Sequence, residues 1–378
     1  MTLRLSTLLL AFSMVSSATT LAAPEIVPFD SPRWVFEGEV QRVEPHLGRD
    51  ALYLENASAL LTDVDFDEGV IEFDVAFDAS RGFSGVQFHR QGAGEYEQFY
   101  LRPHQSGNPD ASQYQPVFGG HSAWQILHGP GYAATLEHRF AAWQHVKLVI
   151  VGGQAEVYVD SDEPVLFIKE LQRHEPGGGL GLMSFYAPAH FANFRYERTS
   201  AAPLRGRSAP GAPLADGHIL SWLVSSSFDE QRLALATDLV QIQQEPLSWT
   251  RLDVEANGVA NLARTLNTTG NTVLARMLVT SERAQTVLLD FGFSDRVRAY
   301  VNGQLVYAGD NGYRTRDYRF LGTLGLFDTL ALQLEAGPND VTMAVSEDFG
   351  GFGVAARLQS MSGLSITSPT NPRDDGDR

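Results

Sequence analysis

The stretch His145-Val146-Lys147-Leu148-Val149-Ile150-Val151-Gly152-Gly153-Gln154-Ala155-Glu156-Val157-Tyr158-Val159 decides the fold class. β-Branched and aromatic side chains fill both runs, and such residues suit the pleated, half-buried surface of a strand. Gly152-Gly153 between them predicts a two-residue turn, because both glycines reach positive φ at little steric cost. The stretch therefore reads as an antiparallel hairpin. Outward from it, Ala51-Leu52-Tyr53-Leu54 and Gly69-Val70-Ile71-Glu72-Phe73-Asp74-Val75-Ala76-Phe77 repeat the short, often alternating pattern, and Asp160-Ser161-Asp162-Glu163-Pro164 supplies the next turn. No window of helical period interrupts residues 29–198, which predicts an antiparallel β-sandwich or jelly roll.

From residue 199 to 217 the chain changes to Ala-Ala-Pro, Arg-Gly-Arg and Ala-Pro-Gly-Ala-Pro, with almost no large apolar residue, as a linker would. Residues 218–360 return to β patterning in Thr286–Phe291, Val297–Val301, Leu305–Tyr307 and Val341–Val345. Asn302-Gly303 is the best hairpin turn among these. Residues 361–378, ending in Arg-Asp-Asp-Gly-Asp-Arg, read as a disordered tail. The predicted class is all-β: two antiparallel β-sandwich or jelly-roll domains joined by a Pro/Ala/Gly-rich linker.

Residues 1–22 read as an export signal, with Arg4 in the charged region, Leu5–Val15 as the apolar region, and small residues leading to cleavage after Ala22. A periplasmic or secreted protein is expected, and no later stretch approaches the roughly 20 apolar residues that a membrane helix needs. The chain has no cysteine, which removes disulfides, thiolate nucleophiles and cysteine metal sites together. Stability must come from cores, and a 43% hydrophobic content allows them. A formal charge of -17 repels phosphate backbones and anionic membranes, so nucleic acid and membrane are not expected as partners.

A neutral polar ligand fits better, and residues 88–128 are where it should bind. Tyr96-Glu97-Gln98-Phe99-Tyr100-Leu101-Arg102-Pro103-His104, Gln113-Tyr114-Gln115, Trp124-Gln125 and His128 set rings beside planar hydrogen-bonding groups. That combination stacks on and orients a polar ring such as a sugar. The binding candidates are Tyr100, Arg102, His104, Gln113, Tyr114, Trp124 and His128; a wet, aromatic outer sheet face without a ligand is the competing reading. Glu97 and His104 are the acid–base candidates should the chain be an enzyme. Asp160 and Asp162, with Glu163, could form an oxygen-rich calcium site, as could Asp310-Asn311, although turns favour the same residues for their geometry. No other cofactor is expected. In the second region Gly309–Phe320 and Ser346–Gly353 are loops dense in Arg, Asp and aromatics, suited either to ligand binding or to an ion-pair network between the domains.

Trp143-Gln144-His145-Val146-Lys147-Leu148-Val149, Gly153–Asp160, Gly179-Leu180-Gly181-Leu182 and Phe191-Ala192-Asn193-Phe194-Arg195-Tyr196 together resemble the concanavalin A-like lectin and glucanase superfamily, including laminin-G-type modules. Phe83-Ser84-Gly85-Val86-Gln87-Phe88, with Tyr96-Glu97 and Trp143, is also similar to 3-keto-disaccharide hydrolase-type domains. Tyr300–Tyr307 and Leu334–Val341 resemble galactose-binding-like jelly rolls. The pairing implies exported carbohydrate handling: a carbohydrate-binding protein, a sugar-acting hydrolase or lyase, or a structural interaction module. The retaining glucanases of that superfamily place acidic residues at alternate positions of one strand, about 5 Å apart. Here Glu72 and Asp74 share a face, but Ala76 stands where a second glutamate should be, so a half-buried strand with a wet outer side accounts for them more economically.

Overall fold

The computed structural model describes residues 23–173, 177–206, 213–234, 238–242, 246–266 and 270–367. The expected export signal, the segment 207–212 of the linker and the tail from 368 onward lie outside the described residues. Strands dominate throughout, and the helical pieces among the described residues are a turn or so long. The chain is all-β.

Residues 25–198 form one hydrogen-bonded network of 14 strands. Its path runs from Leu166–Ile168 through Gln154–Val159, Gln144–Val151, Gly69–Ala76, Ala189–Arg198 and Arg49–Leu61, then on through Gly179–Phe185, Phe83–Gly92, Glu95–Leu101 and Ser112–Phe118 to His121–Ser122. Arg49–Leu61 is where the path folds over. Its first half pairs Leu52 and Leu54 with Phe191 and Ala189, whereas its second half pairs Ala57–Leu61 with Leu180–Ser184. Asn56 between the halves has φ 44°, and its carbonyl oxygen lies 2.2 Å from where a Cβ on Gly38, the partner of Ala57 in the neighbouring strand Trp34–His46, would stand. Only glycine fits there, and it fits in a left-handed conformation. The two layers close on one core: Ile71, Phe73, Val146, Leu148 and Val157 meet Val86, Phe88, Phe99, Leu101 and Leu182. Full burial of each such side chain stabilises by about 1.5–3 kcal/mol.

The hairpin from which the sequence reading began has the expected two-residue turn, with Val151 paired to Gln154 and φ of 60° and 72° at Gly152 and Gly153. Asn302-Gly303 makes the same turn at φ 48° and 85°. That second hairpin belongs to residues 221–367, where a 7-stranded and a 4-stranded antiparallel sheet enclose Trp222, Phe291, Phe293 and Phe352. Leu364–Thr367 lies in the segment expected to be a disordered tail. It is instead an edge strand paired to Thr272–Ser281, with Leu364 and Ile366 turned against the core.

The two β units meet through the end of Ser112–Phe118 and the loop after it. Phe118 packs into the C-terminal core between the guanidinium groups of Arg173 and Arg264, 4.9 and 4.6 Å from its ring centroid. Gln125, fully buried, is a peg between the units: its backbone N–H donates to the Gly350 carbonyl, its Nε2 to the Leu321 carbonyl at 2.7 Å, and its Oε1 accepts from Ser294 Oγ at 3.2 Å. A Cβ at Gly322 or Gly350 would fall 2.1 or 2.5 Å from the Gln125 side chain, so glycine at both positions makes room for the peg. Ala123, Ile126 and Leu127 complete the contact against Val259, Leu324 and Ala355.

Candidate functional site

Alternation along Glu95–Leu101 sorts its side chains into two populations. Phe99 and Leu101 enter the core with Glu97, while Tyr96, Gln98 and Tyr100 face the other way. Register then builds a surface: Gln87 pairs with Gln98 and Gln98 with Gln115, a row of amides across three strands, and Tyr100 pairs with Gln113 beside it. Gln98, Gln115, Tyr100 and Arg102 form the floor of a cavity of about 280 Å³. Its walls are aromatic. Phe83, Phe185, Tyr186 and Trp124 come from the N-terminal unit, and Tyr313, Leu321 and Phe349 come from the loops of the C-terminal unit.

Arg102 is the organising charge of the floor. It donates from Nη1 to Asp110 Oδ2 at 2.8 Å and from Nη2 to the Tyr100 hydroxyl at 3.2 Å and to Gln113 Oε1. Gln113 in turn donates from Nε2 to the carbonyls of Trp124 and Leu127 at 3.0 and 2.8 Å, which fixes the loop carrying Trp124 over the floor. The guanidinium carbon of Arg102 lies 5.8, 5.4 and 5.7 Å from the ring centroids of Phe83, Tyr100 and Trp124. Phe349 continues the ring wall across the junction, 6.0 Å from both Trp124 and Tyr313.

Three buried polar atoms of this site have no hydrogen-bond partner: Gln115 Oε1, Arg102 Nε and His104 Nδ1. Buried polar atoms are nearly always satisfied, so three orphans around one opening are an unusual concentration. Burial, and then the charges of Arg102 and Arg81, hold His104 below the usual imidazole range, so it is a neutral donor and acceptor at pH 7.

The structure thus brings Tyr100, Arg102, His104 and Trp124 together, with Gln113 just behind them. Tyr114 and Glu97 are not there. Tyr114 follows Gln113, so it points to the opposite face and is buried between the layers. Its hydroxyl donates to Glu97 Oε1 at 2.7 Å, and Glu97 also accepts from the Arg173 backbone N–H and pairs with His89 Nδ1, both at 2.9 Å. Sealed among these partners at 0% exposure, Glu97 reaches no ligand. His128 also lies elsewhere, exposed at the junction with Nε2 3.1 Å from the Leu324 carbonyl.

Glu72 and Asp74 lie on the outer face of the other layer and clasp His145, at 3.4 Å from Nε2 and 2.8 Å from Nδ1. These contacts push His145 up to about 9, and His145 and Arg195 hold Glu72 down at about 2. Asp160 accepts from the His145 backbone N–H at 2.9 Å and pairs with Arg139 at 2.8 Å. Asp162 is exposed, and Asp310 Oδ1 caps the Gly312 N–H. Among the described residues no group of three or more His, Asp or Glu side chains is placed to hold a metal ion. Of the two roles open to the Gly309–Phe320 loop, ligand binding or an ion-pair network between the units, Arg316 and Arg319 do not serve the second: Arg316 pairs with Asp328, and Arg319 with Asp317 at 2.9 Å, all within the C-terminal unit.

Sequence reading missed Gln98 and Gln115 as members of the site, along with Arg81, Phe185 and Tyr186. The first two carried a usable signal, since both share a period-2 face with a named neighbour, Tyr100 or Gln113. Tyr313 and Phe349 were visible only as members of aromatic loops.

No protein-family model and no curated protein matches the sequence. Among solved structures, carbohydrate binding module CBM66 from Bacillus subtilis is 14% identical over 44% of this chain and 95% of its own, with a TM-score of 0.34. A Bacillus licheniformis β-glucanase is 10% identical over 47% of this chain and 99% of its own, with a TM-score of 0.33. A family 35 carbohydrate binding module from an environmental isolate is 16% identical over 28% of this chain and 75% of its own, with a TM-score of 0.19. Likeness of this degree carries no functional conclusion.

Proposed function

We propose that this chain is an exported carbohydrate-binding protein whose ligand occupies the cavity between the amide floor and the aromatic walls. The observation that carries the reading is the pairing of ring walls with unpartnered polar atoms at Gln115, Arg102 and His104. Rings stack on the apolar faces of a sugar, and the orphaned groups supply the hydrogen bonds that its hydroxyls require. A volume near 280 Å³ stands at the small end of ligand pockets, typically about 300–1,000 Å³, and suits one or two sugar rings rather than a long stretch of polymer. Calorimetric titration with mono- and oligosaccharides tests this: saturable heats whose affinity falls in Trp124→Ala support it, and silence across neutral and acidic sugars ends it. N-terminal sequencing of protein recovered outside the cytoplasm tests the export of a chain cleaved after Ala22.

A hydrolase or lyase is the second reading, favoured by the neutral His104 with its free Nδ1 in the cavity. Product formation abolished by His104→Ala, with binding retained, supports it. Turnover that survives His104→Ala removes that histidine from the chemistry.

A further inference from the structure

The cavity carries more positive charge than it neutralises, in a chain whose total is -17. Two guanidinium groups line it, Arg81 and Arg102, against one carboxylate, Asp110, already committed to Arg102. No carboxylate among the described residues pairs with Arg81, whose guanidinium carbon stands 5.5 Å from the Tyr186 ring centroid at the rim. Arg102 is only 6% exposed, and its Nε has no acceptor. A desolvated arginine with an unused donor and a second arginine with no counter-ion make a receptor for an anion. The amide row and the rings alongside require that the anion be attached to a polar ring.

We propose, building on the carbohydrate reading above, that the ligand is an acidic sugar, a hexuronic acid residue whose carboxylate sits between Arg81 and Arg102 while its ring lies on the aromatic wall. A carboxylate matches the planar guanidinium fork, which a hydroxyl does not. The charge on Arg81 is therefore a determinant of specificity, and the amides of Gln98 and Gln115 serve neutral and acidic sugars alike.

Full-length chain titrated with oligogalacturonate and with the matching neutral galactose oligomer decides this. Acid over neutral by about tenfold or more, shrinking at about 500 mM salt, is the expected result. Arg81 is exposed, so Arg81→Met leaves the fold intact; it should weaken acid binding by about tenfold more than neutral binding, with the acid preference partly rescued by Arg81→Lys. Equal affinity for the two sugars, or an equal loss for both in Arg81→Met, overturns the acidic preference while leaving carbohydrate binding standing. Binding of neither sugar overturns both.

Discussion

The strand Glu95–Leu101 presents polar groups on both faces, and the two faces have opposite characters. Inward, Glu97 is completely buried and completely satisfied: the Tyr114 hydroxyl, the Arg173 N–H and His89 all converge on its two oxygens. Outward, Gln98 and Tyr100 lie beneath an opening among groups whose capacity is left over, with Gln115 Oε1 and Arg102 Nε unpartnered. Residue type does not distinguish these faces. The count of unmet hydrogen bonds does, and it separates polarity that holds the sheets together from polarity kept ready for something else.

The sharpest way to break this comparison is to remove one member from each face and measure folding and binding separately. Glu97→Ala strands His89 and the Tyr114 hydroxyl in the core and should cost about 3–5 kcal/mol of stability, read as a lowered urea midpoint. A loss below about 1 kcal/mol would show that the inner network is dispensable. Trp124→Ala should weaken sugar binding by about 1–3 kcal/mol, measured by calorimetry, with the strand's inner face unaffected. Gln115→Leu tests the outer face directly. Because its carbonyl makes no bond in the free protein, stability should stay within about 1 kcal/mol of the parent while affinity falls by about 1–2 kcal/mol. Equal losses of stability at Gln115 and Glu97 would erase the distinction.

Glu347 sharpens the rule by showing where orphaned atoms have another meaning. It is 2% exposed, its Oε1 accepts from the Gly351 N–H at 2.9 Å, and its Oε2 has no partner. Burial, and then the nearby Asp295 carboxylate, push it up to about 8. Folded, this carboxyl keeps its proton to about 8; unfolded, it releases the proton near 4.5. The folded state therefore binds more protons across that window, and the stability contributed below pH 4.5 declines as pH rises toward 8. Glu347→Gln should flatten that decline, seen as Tm against pH, by up to roughly 1 kcal/mol per pH unit. An unchanged slope would mean that Glu347 is already ionised in the folded chain. At Glu347 the orphaned atom, with no opening beside it, marks a proton site rather than a ligand site.

Legibility in the sequence followed the range of the interactions. Gly152-Gly153 and Asn302-Gly303 turned as expected because a two-residue turn is dictated by the φ of its own residues. Period-2 alternation puts Tyr100 and Arg102 on one face, and the same period, applied from Gln113, sends Tyr114 to the core. Composition grouped Gln113 with Tyr114; geometry separates them. Leu364–Thr367 was hidden by the charged tail beside it, since its strand exists through pairing with Thr272–Ser281. Tyr313 and Phe349 were legible only as residues of aromatic loops suited to ligand binding, and their place in the wall depends on how Gln125 seats in the other unit.

That seating makes the cavity a joint property of two separately cored pieces. Phe118 ends the very strand that supplies Gln113 and Gln115, and its ring enters the core of the other piece, flanked by Arg173 of its own unit and Arg264 of the other. Phe118 thereby ties the C-terminal piece to the strand that floors the cavity. The receptor is assembled across the junction: a chain cut between its two halves would yield an N-terminal piece with Phe118 stripped of the C-terminal core and a cleft missing one side.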